Sequence, residues 1–390
     1  MIFSYNWLKE YLKNSPKPKE LANLLTLHCF EAEVEKQKND WILNVDILPN
    51  RYDGASYFGL AKEIQLINQK SKVRNQKLNK ILITQKPKVK TRKLQIKVEN
   101  PDLCPRYIGV LIEGIENKKS PKFIKERLSL YGINSYNLIV DLTNYVMLET
   151  GQPLHSFDAS KIKDKNSKIE IFIRKAKKNE EIFTLDENKY QLDKDILVIA
   201  SKSKPLAIAG IKGGKFAEVD FDSKTILFEG ANFDREVIYL ASKKLKLETD
   251  ASIRFSHQLS KELPQMAMSR LIELVLKFFP KAKIVEFSDF YQKPSRKIIL
   301  FDFEKYKNYL GEEVSRKETK EIFKRMGANL VKETKQGIFI EPPKERIDLN
   351  LDIDLFEEVA RVIGYQKLKS NPPLSLIFPK RPKDEVVFEE

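Results

Sequence analysis

The central part of the sequence, residues 94–290, constrains the fold most, because it mixes short strand-like runs with helices. Runs of apolar and β-branched residues predict strands at Lys168–Ala176, Asp195–Ala200 and Thr225–Phe233. Apolar residues at helical spacing predict a long helix over Glu262–Phe279. Because strands and helices do not alternate regularly, the pattern favours the α+β class over a parallel βαβ sheet.

Changes in composition divide the chain into five predicted segments. Residues 1–69 predict an N-terminal α/β unit, and residues 94–292 the large central domain. Residues 70–93 carry many Lys and Arg and no acid, which is typical of a solvated linker or, alternatively, of a flexible arm that contacts phosphates. Residues 293–372 predict a second small α/β unit, and residues 373–390 resemble the start of a further region.

Local signals predict the elements of the N-terminal unit. A helix around Trp7–Leu12 ends before Pro16, and a second helix follows Pro18. Alternation predicts a strand over Trp41–Ile47, and a helix follows around Phe58–Leu66.

The second small unit carries clear helix boundaries. Ser315 and Glu318 form a predicted capping box, and Gly327 is placed to end that helix. A hairpin and an acidic helix from about Asp354 to Ile363 complete the unit.

Composition narrows the class of protein. The formal net charge of +15 is compatible with a polyanionic partner such as RNA, although a Lys-rich, Asn-rich composition of AT-rich coding explains it equally well. No apolar run reaches the roughly 18–20 residues of a membrane helix, and the N-terminus lacks the features of a signal peptide. Cys29 and Cys104 are too few for a disulfide framework or a zinc site. We therefore expect a cytoplasmic protein without a membrane partner.

The stretch DLTNYVMLETGQPLHSFDA, Asp141–Ala159, holds a polar pair and one of only three histidines. If Thr143 and Asn144 lie at a strand end, they can exchange hydrogen bonds with a polar ligand. His155 can do the same from either ring nitrogen, although a structural histidine is the alternative.

Two further features suggest a pocket. Gly210, Gly213 and Gly214 permit close backbone approach, either around a ligand or in a simple hairpin turn. Glu229 interrupts the apolar strand TILFEGANF, so its carboxylate either faces solvent or is buried with a specific partner. Leu227 and Ala231 share its face by alternation, which argues against plain solvent exposure.

An acidic set surrounds the start of the last predicted helix: Asp348, Asp354, Glu357 and Glu358. The spacing lets Asp354, Glu357 and Glu358 share one face, and such oxygen ligands suit Mg²⁺. Alternatively, these acids only complement the dipole at the helix N-terminus.

In order along the chain, several of these segments resemble the β subunit of bacterial phenylalanyl-tRNA synthetase. The segments are MIFSYNWLKEYL, VDILPNRYDGASYFGLAKEI, VDLTNYVMLETGQPLHSFDA, LKLETDASIRFSHQL and RIDLNLDIDLFEEVARVIGYQKL. The resemblance implies a central B3/B4-type editing domain and a following B5-type domain. It also implies an α-subunit partner and tRNA(Phe) as the RNA, with no DNA partner.

The resemblance also implies roles for the candidate residues. In the family, the central domain hydrolyses tyrosine wrongly esterified to tRNA(Phe). Glu229 would accept a hydrogen bond from the tyrosine hydroxyl, His155 would hold that hydroxyl or a water, and Thr143 and Asn144 would line the ester end. Gly213 and Gly214 would lie on the pocket loop.

The family also suggests the metal and nucleotide chemistry. The acidic set Asp348, Asp354, Glu357 and Glu358 would bind Mg²⁺ at the boundary with the α subunit. The resemblance also implies that the aminoacylation centre and its ATP belong to that subunit. This sequence carries no ATP-binding motif of its own.

Three departures from the family leave an alternative open. Only KQKND separates Glu35 from Trp41, where the family usually inserts an OB-fold domain. Asn134 stands where the family often has Arg, and the sequence stops where the family continues into catalytic-like and anticodon-binding domains. The alternative to an editing-competent subunit is a non-catalytic scaffold or tRNA-binding chain with a decayed pocket.

Overall fold

The computed structural model describes residues 1–68, 70, 72–73, 94–164, 168–295 and 297–368. Helices and mostly antiparallel sheets occur in separate blocks along this part of the chain, which confirms the predicted α+β class. Nearly all of the basic run 70–93 and all of residues 373–390 lie outside the described residues.

The N-terminal block is built on a three-stranded antiparallel sheet with the order β1–β4–β3. Serine side chains cap its first and third helices, where Ser4 accepts from the Trp7 N–H and Ser56 from the Gly59 N–H. The elements are β1 (Ile2–Ser4), α1 (Tyr5–Tyr11), β2 (Leu12–Lys13), α2 (Pro18–His28), β3 (Ala32–Gln37), β4 (Asp40–Val45), α3 (Tyr57–Ile67) and β5 (Lys72–Val73).

The segment KQKND forms a tight hairpin between β3 and β4. Gln37 pairs with Asp40, and Lys38 adopts a left-handed conformation with φ of 45°. Strand β4 begins one residue before the predicted strand and ends two residues earlier.

The central block contains two larger sheets. A four-stranded antiparallel sheet has the order β16–β7–β15–β8, and a five-stranded sheet has the order β14–β13–β12–β9–β6. The strands are β6 (Leu94–Val98), β7 (Arg106–Glu113), β8 (Leu154–Asp158), β9 (Ile169–Lys175), β10 (Glu180–Phe183), β11 (Lys189–Leu192), β12 (Leu197–Ala200), β13 (Pro205–Ile208), β14 (Lys212–Gly213), β15 (Thr225–Asn232) and β16 (Lys283–Tyr291). The helices are α4 (Lys122–Ser129), α5 (Leu138–Thr150), α6 (Arg235–Leu245), α7 (Asp250–Ser256) and α8 (Leu263–Phe278).

The four-stranded sheet separates two hydrophobic cores. Along β15, Ile226 and Phe228 belong to the core formed with α5 and α8. Leu227 and Ala231, on the opposite face, belong to the core shared with the five-stranded sheet. Because side chains alternate along a strand, Glu229 faces the space between the two sheets.

The expectation that Thr143 and Asn144 end a strand is wrong, because both lie within α5. Asn137 caps this helix by accepting from the Val140 N–H, and Gly151 ends it in a left-handed conformation with φ of 85°. The Thr143 hydroxyl donates to the Val140 carbonyl at 2.7 Å, so this β-branched polar residue is satisfied within the helix.

The last block contains a small sheet with the order β17–β19–β18. As predicted, Ser315 caps α10 by accepting from the Glu318 N–H, and Gly327 ends that helix with φ of 87°. Of the predicted capping box, α10 shows this Ser315 bond and not the return bond to the Glu318 side chain. The elements are β17 (Ile299–Asp302), α9 (Phe303–Leu310), α10 (Arg316–Met326), β18 (Asn329–Glu333), β19 (Gly337–Glu341) and α11 (Asp352–Ile363).

One hydrophobic core connects all three blocks. Trp7 from the first block, Leu142 and Met268 from the second and Phe323 and Phe356 from the third belong to the same buried cluster. The last block joins this core through α3, because α10 and α11 pack against α3 and α3 packs against α5 of the central block.

Candidate functional site

Glu229 and His155 are direct neighbours across two strands. They form a cross-strand pair between β15 and β8, so their side chains project from the same face. Gly109 pairs with Glu229 from the other side, on β7. A Cβ at Gly109 would lie 2.9 Å from Ile96 Cδ1, so the absence of a side chain there lets the second sheet approach closely.

The glycine loop meets His155 directly. A Cβ on Gly213 would lie 2.5 Å from Cε1 and 2.7 Å from Nε2 of His155, so only glycine leaves room for this ring. Gly214 lies against backbone instead, and its N–H donates to the Leu206 carbonyl at 2.8 Å. The structure therefore brings Glu229, His155 and Gly213 together between the two sheets.

Glu229 is a buried carboxyl group without a partner. Its residue is 6% exposed, and within the described ranges neither oxygen accepts or donates a hydrogen bond. Burial in this apolar space raises its pKa to about 8, so the group is mostly protonated at pH 7.

His155 is the neutral partner of this pair. Part of its surface is exposed, but desolvation by the surrounding protein lowers its pKa to about 4. Its ring contacts Phe157 edge to face, with centroids 4.7 Å apart. At neutral pH the site therefore holds an uncharged imidazole beside a mostly uncharged carboxyl group.

Thr143 and Asn144 lie on a different element from this pair. Thr143 is buried in α5, and Asn144 is half-buried on the same helix. Across the described parts of the chain, neither side chain forms a hydrogen bond with His155 or Glu229. Their expected place at the ester end of a ligand stays a prediction.

Sequence reasoning missed two residues near Glu229. Tyr107 and Cys104 are both fully buried, and both belong to the same core as Leu227 and Ala231. Burial, and secondarily the Glu229 charge, raises the pKa of each, so both remain protonated. The available signal was alternation along β7, which places Tyr107 on the Glu229 side of the sheet.

The predicted acidic set does not converge. Glu357 is exposed whereas Glu358 is buried, so the expectation that Asp354, Glu357 and Glu358 share one face is wrong. Asp354 accepts from the backbone N–H groups of Asn350 and Leu351 at 2.7 and 2.8 Å, as a carboxylate at a helix start does.

The remaining two acids belong to a buried ionic network. Arg346 donates to both oxygens of Glu358 at 2.7 Å and to Asp348 at 2.7 Å. Arg361 also donates to Glu358 and reaches Glu63 on α3. Asp348 and Glu358 are thus both ion-paired with arginines of the same chain.

The same network continues into the N-terminal block. Arg51 donates to Glu63 at 2.7 Å and to Asp53 at 3.0 Å. Burial opposes ionisation of Glu63, but Arg361 and Arg51 lower its pKa to about 2. Arg51 lies in the segment LPNRYDG and Arg361 in the last helix, so two motifs far apart in sequence form one buried cluster.

These contacts do not fit a magnesium site made by the four carboxylates together. Two are bound by arginines, one caps a helix and one points to solvent, and the described residues contain no group of three or more potential ligands in metal-binding arrangement.

Comparison with protein families identifies two domains. Residues 103–280 match a B3/4 domain, and residues 299–365 match a tRNA synthetase B5 domain. Three similar proteins are named phenylalanine–tRNA ligase beta subunit. The protein from Aquifex aeolicus is 39% identical to 84% of this chain. The protein from Carboxydothermus hydrogenoformans is 34% identical to 88% of this chain, and the protein from Clostridium acetobutylicum is 35% identical to 92% of it.

By these matches the chain belongs to the phenylalanine–tRNA ligase β-subunit family. The chain spans about two fifths of these relatives, covering 41%, 42% and 43% of their respective lengths. The resemblance inferred from its sequence motifs is confirmed.

A solved structure shows the same fold. It is an N-terminal fragment of the phenylalanyl-tRNA synthetase β-subunit from Pyrococcus horikoshii, with a TM-score of 0.50 and 16% identity. The similarity covers 93% of this chain and 99% of that fragment. No helix in the described ranges is both long and apolar enough to cross a membrane.

Proposed function

We propose that this family member hydrolyses Tyr-tRNA(Phe) at a site between its two central sheets and acts in the cytoplasm with a phenylalanyl-tRNA synthetase α subunit. The observation that carries the proposal is the buried, partnerless carboxyl group of Glu229 beside His155 and Gly213. A polar group that lacks a partner inside an apolar space is costly unless a ligand satisfies it.

The tyrosine hydroxyl is the group that would satisfy Glu229. A phenol can donate to the carboxyl oxygen, whereas the unsubstituted ring of phenylalanine cannot. The cost of leaving a buried polar group unpaired is about 1–3 kcal/mol, which corresponds to roughly 5- to 150-fold discrimination. Correctly charged Phe-tRNA(Phe) would therefore be spared.

Such a site complements the limits of selection during synthesis. An apolar pocket rejects an added hydroxyl only by about 10²-fold. A second pocket that requires the hydroxyl selects in the opposite direction. The combined discrimination is then the product of the two steps.

The hydrolytic step would use a positioned water. Cys104 is a poor candidate nucleophile because burial raises its pKa and keeps the thiol protonated. His155 is neutral at physiological pH, so its ring nitrogens can accept from and donate to a water or hydroxyl. Thr143 and Asn144 on α5 are the proposed contacts at the ester end.

Partners are part of the same proposal. The family relationship suggests an α subunit that carries the aminoacylation centre and uses ATP. The net charge of +15 suits tRNA(Phe) as a polyanionic substrate.

The scaffold alternative has one specific observation in its favour. The buried network of Arg51, Glu63, Arg346, Glu358 and Arg361 joins the N-terminal block to the last block. Such a network fixes the relative position of two blocks and involves no group of the candidate site. A chain that only supports an α subunit would need this rigidity and not the pocket.

The test is deacylation of Tyr-tRNA(Phe) and Phe-tRNA(Phe) by the purified chain. We expect hydrolysis of the tyrosyl ester only, and loss of that activity in Glu229→Ala. Activity that appears only after the α subunit is added would support a dependent editing subunit. A folded chain that is inactive under both conditions would contradict editing and favour the scaffold.

A further inference from the structure

We propose that Tyr107 is a second specificity residue of the site, whose hydroxyl donates a hydrogen bond to the phenolic oxygen of a bound tyrosyl group. The inference rests on the proposed function, because it adds a residue to the same pocket. It explains a feature that the pair of Glu229 and His155 leaves unexplained.

That feature is the environment of the Tyr107 hydroxyl. The residue is 0% exposed, and its hydroxyl oxygen is a buried polar atom without any hydrogen-bond partner. An unsatisfied buried hydroxyl costs about 1–3 kcal/mol, and phenylalanine would fill the same volume without that cost. A tyrosine here therefore suggests an occupant that accepts its hydrogen bond.

The strand register places this hydroxyl on the correct side of the sheet. Tyr107 pairs with Ala231, and Glu229 pairs with Gly109, so Tyr107 and Glu229 are diagonal neighbours on one face. Diagonal residues lie roughly 7–8 Å apart at the backbone, which long and aromatic side chains can span. Gly109 contributes no side chain between them.

The two groups are close but do not bond to each other. The charge of Glu229 contributes to the raised pKa of Tyr107, yet no hydrogen bond joins the phenol to the carboxyl group. Two partnerless polar groups on one face, separated by more than a hydrogen bond, can both be satisfied by one bridging hydroxyl.

A tyrosine hydroxyl has the required chemistry. It donates its proton to a carboxyl oxygen of Glu229 and accepts on its own oxygen from the Tyr107 hydroxyl. Because Tyr107 stays protonated, it is a donor over the whole neutral range. Recognition at two points distinguishes a phenol from a phenyl ring more strongly than Glu229 alone.

The test uses two non-hydrolysable probes, adenosine analogues that carry tyrosine or phenylalanine through an amide at the 3′ position. Their dissociation constants are measured by calorimetry for the full chain, for Tyr107→Phe and for Glu229→Gln. Tyr239→Phe, which changes an exposed tyrosine, is the matched control. Tyr107→Met is a second variant, and thermal melting verifies that each variant folds.

We define the preference as the dissociation constant of the phenylalanyl probe divided by that of the tyrosyl probe. We expect this ratio to be at least about fivefold smaller in Tyr107→Phe than in the parent chain, with the affinity for the phenylalanyl probe unchanged. Its melting temperature should equal or exceed that of the parent chain, because an unsatisfied hydroxyl is removed. If Tyr107→Phe keeps the preference while Glu229→Gln loses it, this inference is overturned and the proposed function stands. If the parent chain shows no preference either alone or with the α subunit added, both are overturned.

Discussion

At the residue scale, Glu229 dominates the electrostatics of the site because its folded pKa of about 8 lies far above its ordinary value of 4.5. The folded state therefore holds a proton that the unfolded state releases between these two values, and stability falls as pH rises through that window. Burial lowers the pKa of His155 from its ordinary 6.5 to about 4, so its contribution to stability rises with pH between these two values. Between about pH 6.5 and 8, therefore, only Glu229 makes the stability of this pair depend on pH.

Replacement of this carboxyl group should remove the pH effect. We predict that the free energy of unfolding of Glu229→Gln changes less between pH 6.5 and 8.5 than that of the parent chain. Each pKa unit corresponds to about 1.4 kcal/mol, so the change in the free energy of unfolding over this pH range should differ between the two proteins by more than about 1 kcal/mol. Urea unfolding at a series of pH values measures it, and parallel curves for the two proteins would contradict the assignment.

Gly213 is the second residue with a sharp structural requirement. We predict that Gly213→Ala displaces the His155 ring, because the added carbon would lie 2.5 Å from Cε1, and that tyrosyl-ester hydrolysis falls by at least about tenfold. The displacement can be observed directly in the NMR shifts of the His155 imidazole.

A double variant provides the control for Gly213. In a His155→Ala background the clash with the ring is absent, so adding Gly213→Ala should cost less stability than it does alone. Equal costs in the two backgrounds would show that the methyl group clashes with something other than His155.

At the element scale, the sequence predicted elements better than the relations between them. Apolar patterning located α8 and β15 to within a residue at each end, because α8 has one well-defined buried face and β15 is a continuous apolar run buried on both faces. The capping signals at Ser315 and Gly327 were similarly reliable, because they act locally.

The errors concern one local element and one buried side chain. The sequence pattern favours a strand end for Thr143 and Asn144, although Asn137 and Gly151 cap a helix around them. Glu358 was grouped with Glu357 and Asp354, although Arg346 and Arg361 bind it inside the protein. The helix around Thr143 was available from local capping signals, whereas the burial of Glu358 between two arginines, and the bond from Arg361 to Glu63 of the first block, depend on tertiary packing that no local pattern reveals.

The ionic network between α3 and α11 makes a clear prediction. Replacing Arg361 by Ala removes one of the arginines that bind the buried Glu63 and Glu358, which then keep only Arg51 and Arg346, and breaking a buried pair typically costs about 3–5 kcal/mol. We therefore expect Arg361→Ala to lower the free energy of unfolding strongly at pH 7, as measured by denaturant titration.

An exposed ion pair serves as the comparison. Lys281 and Glu116 are 2.9 Å apart at the surface, and Lys281→Ala should leave stability nearly unchanged.

The lowered pKa of Glu63 also makes the network depend on pH. The contribution of Glu63 to the free energy of unfolding is present above about pH 4.5 and is lost as pH falls towards 2. An Arg361→Ala effect as small as that of Lys281→Ala would contradict the network's role.

At the scale of the whole molecule, the shared core implies cooperative unfolding. Trp7 packs in the cluster that also contains Leu142 and Phe356, so the first block cannot lose its core independently of the others. We predict that Trp7 fluorescence and far-UV circular dichroism report one coincident transition in a Trp41→Phe variant. Two separated transitions would indicate that the blocks unfold independently.

Selection for the tyrosine hydroxyl through Glu229 can be measured directly as the ratio of hydrolysis rates for Tyr-tRNA(Phe) and Phe-tRNA(Phe). In the presence of the α subunit, we predict a ratio of at least about 5 for the parent chain, and a markedly smaller ratio for Glu229→Gln. A folded parent chain that hydrolyses both esters equally, or neither, would show that Glu229 does not select for the hydroxyl.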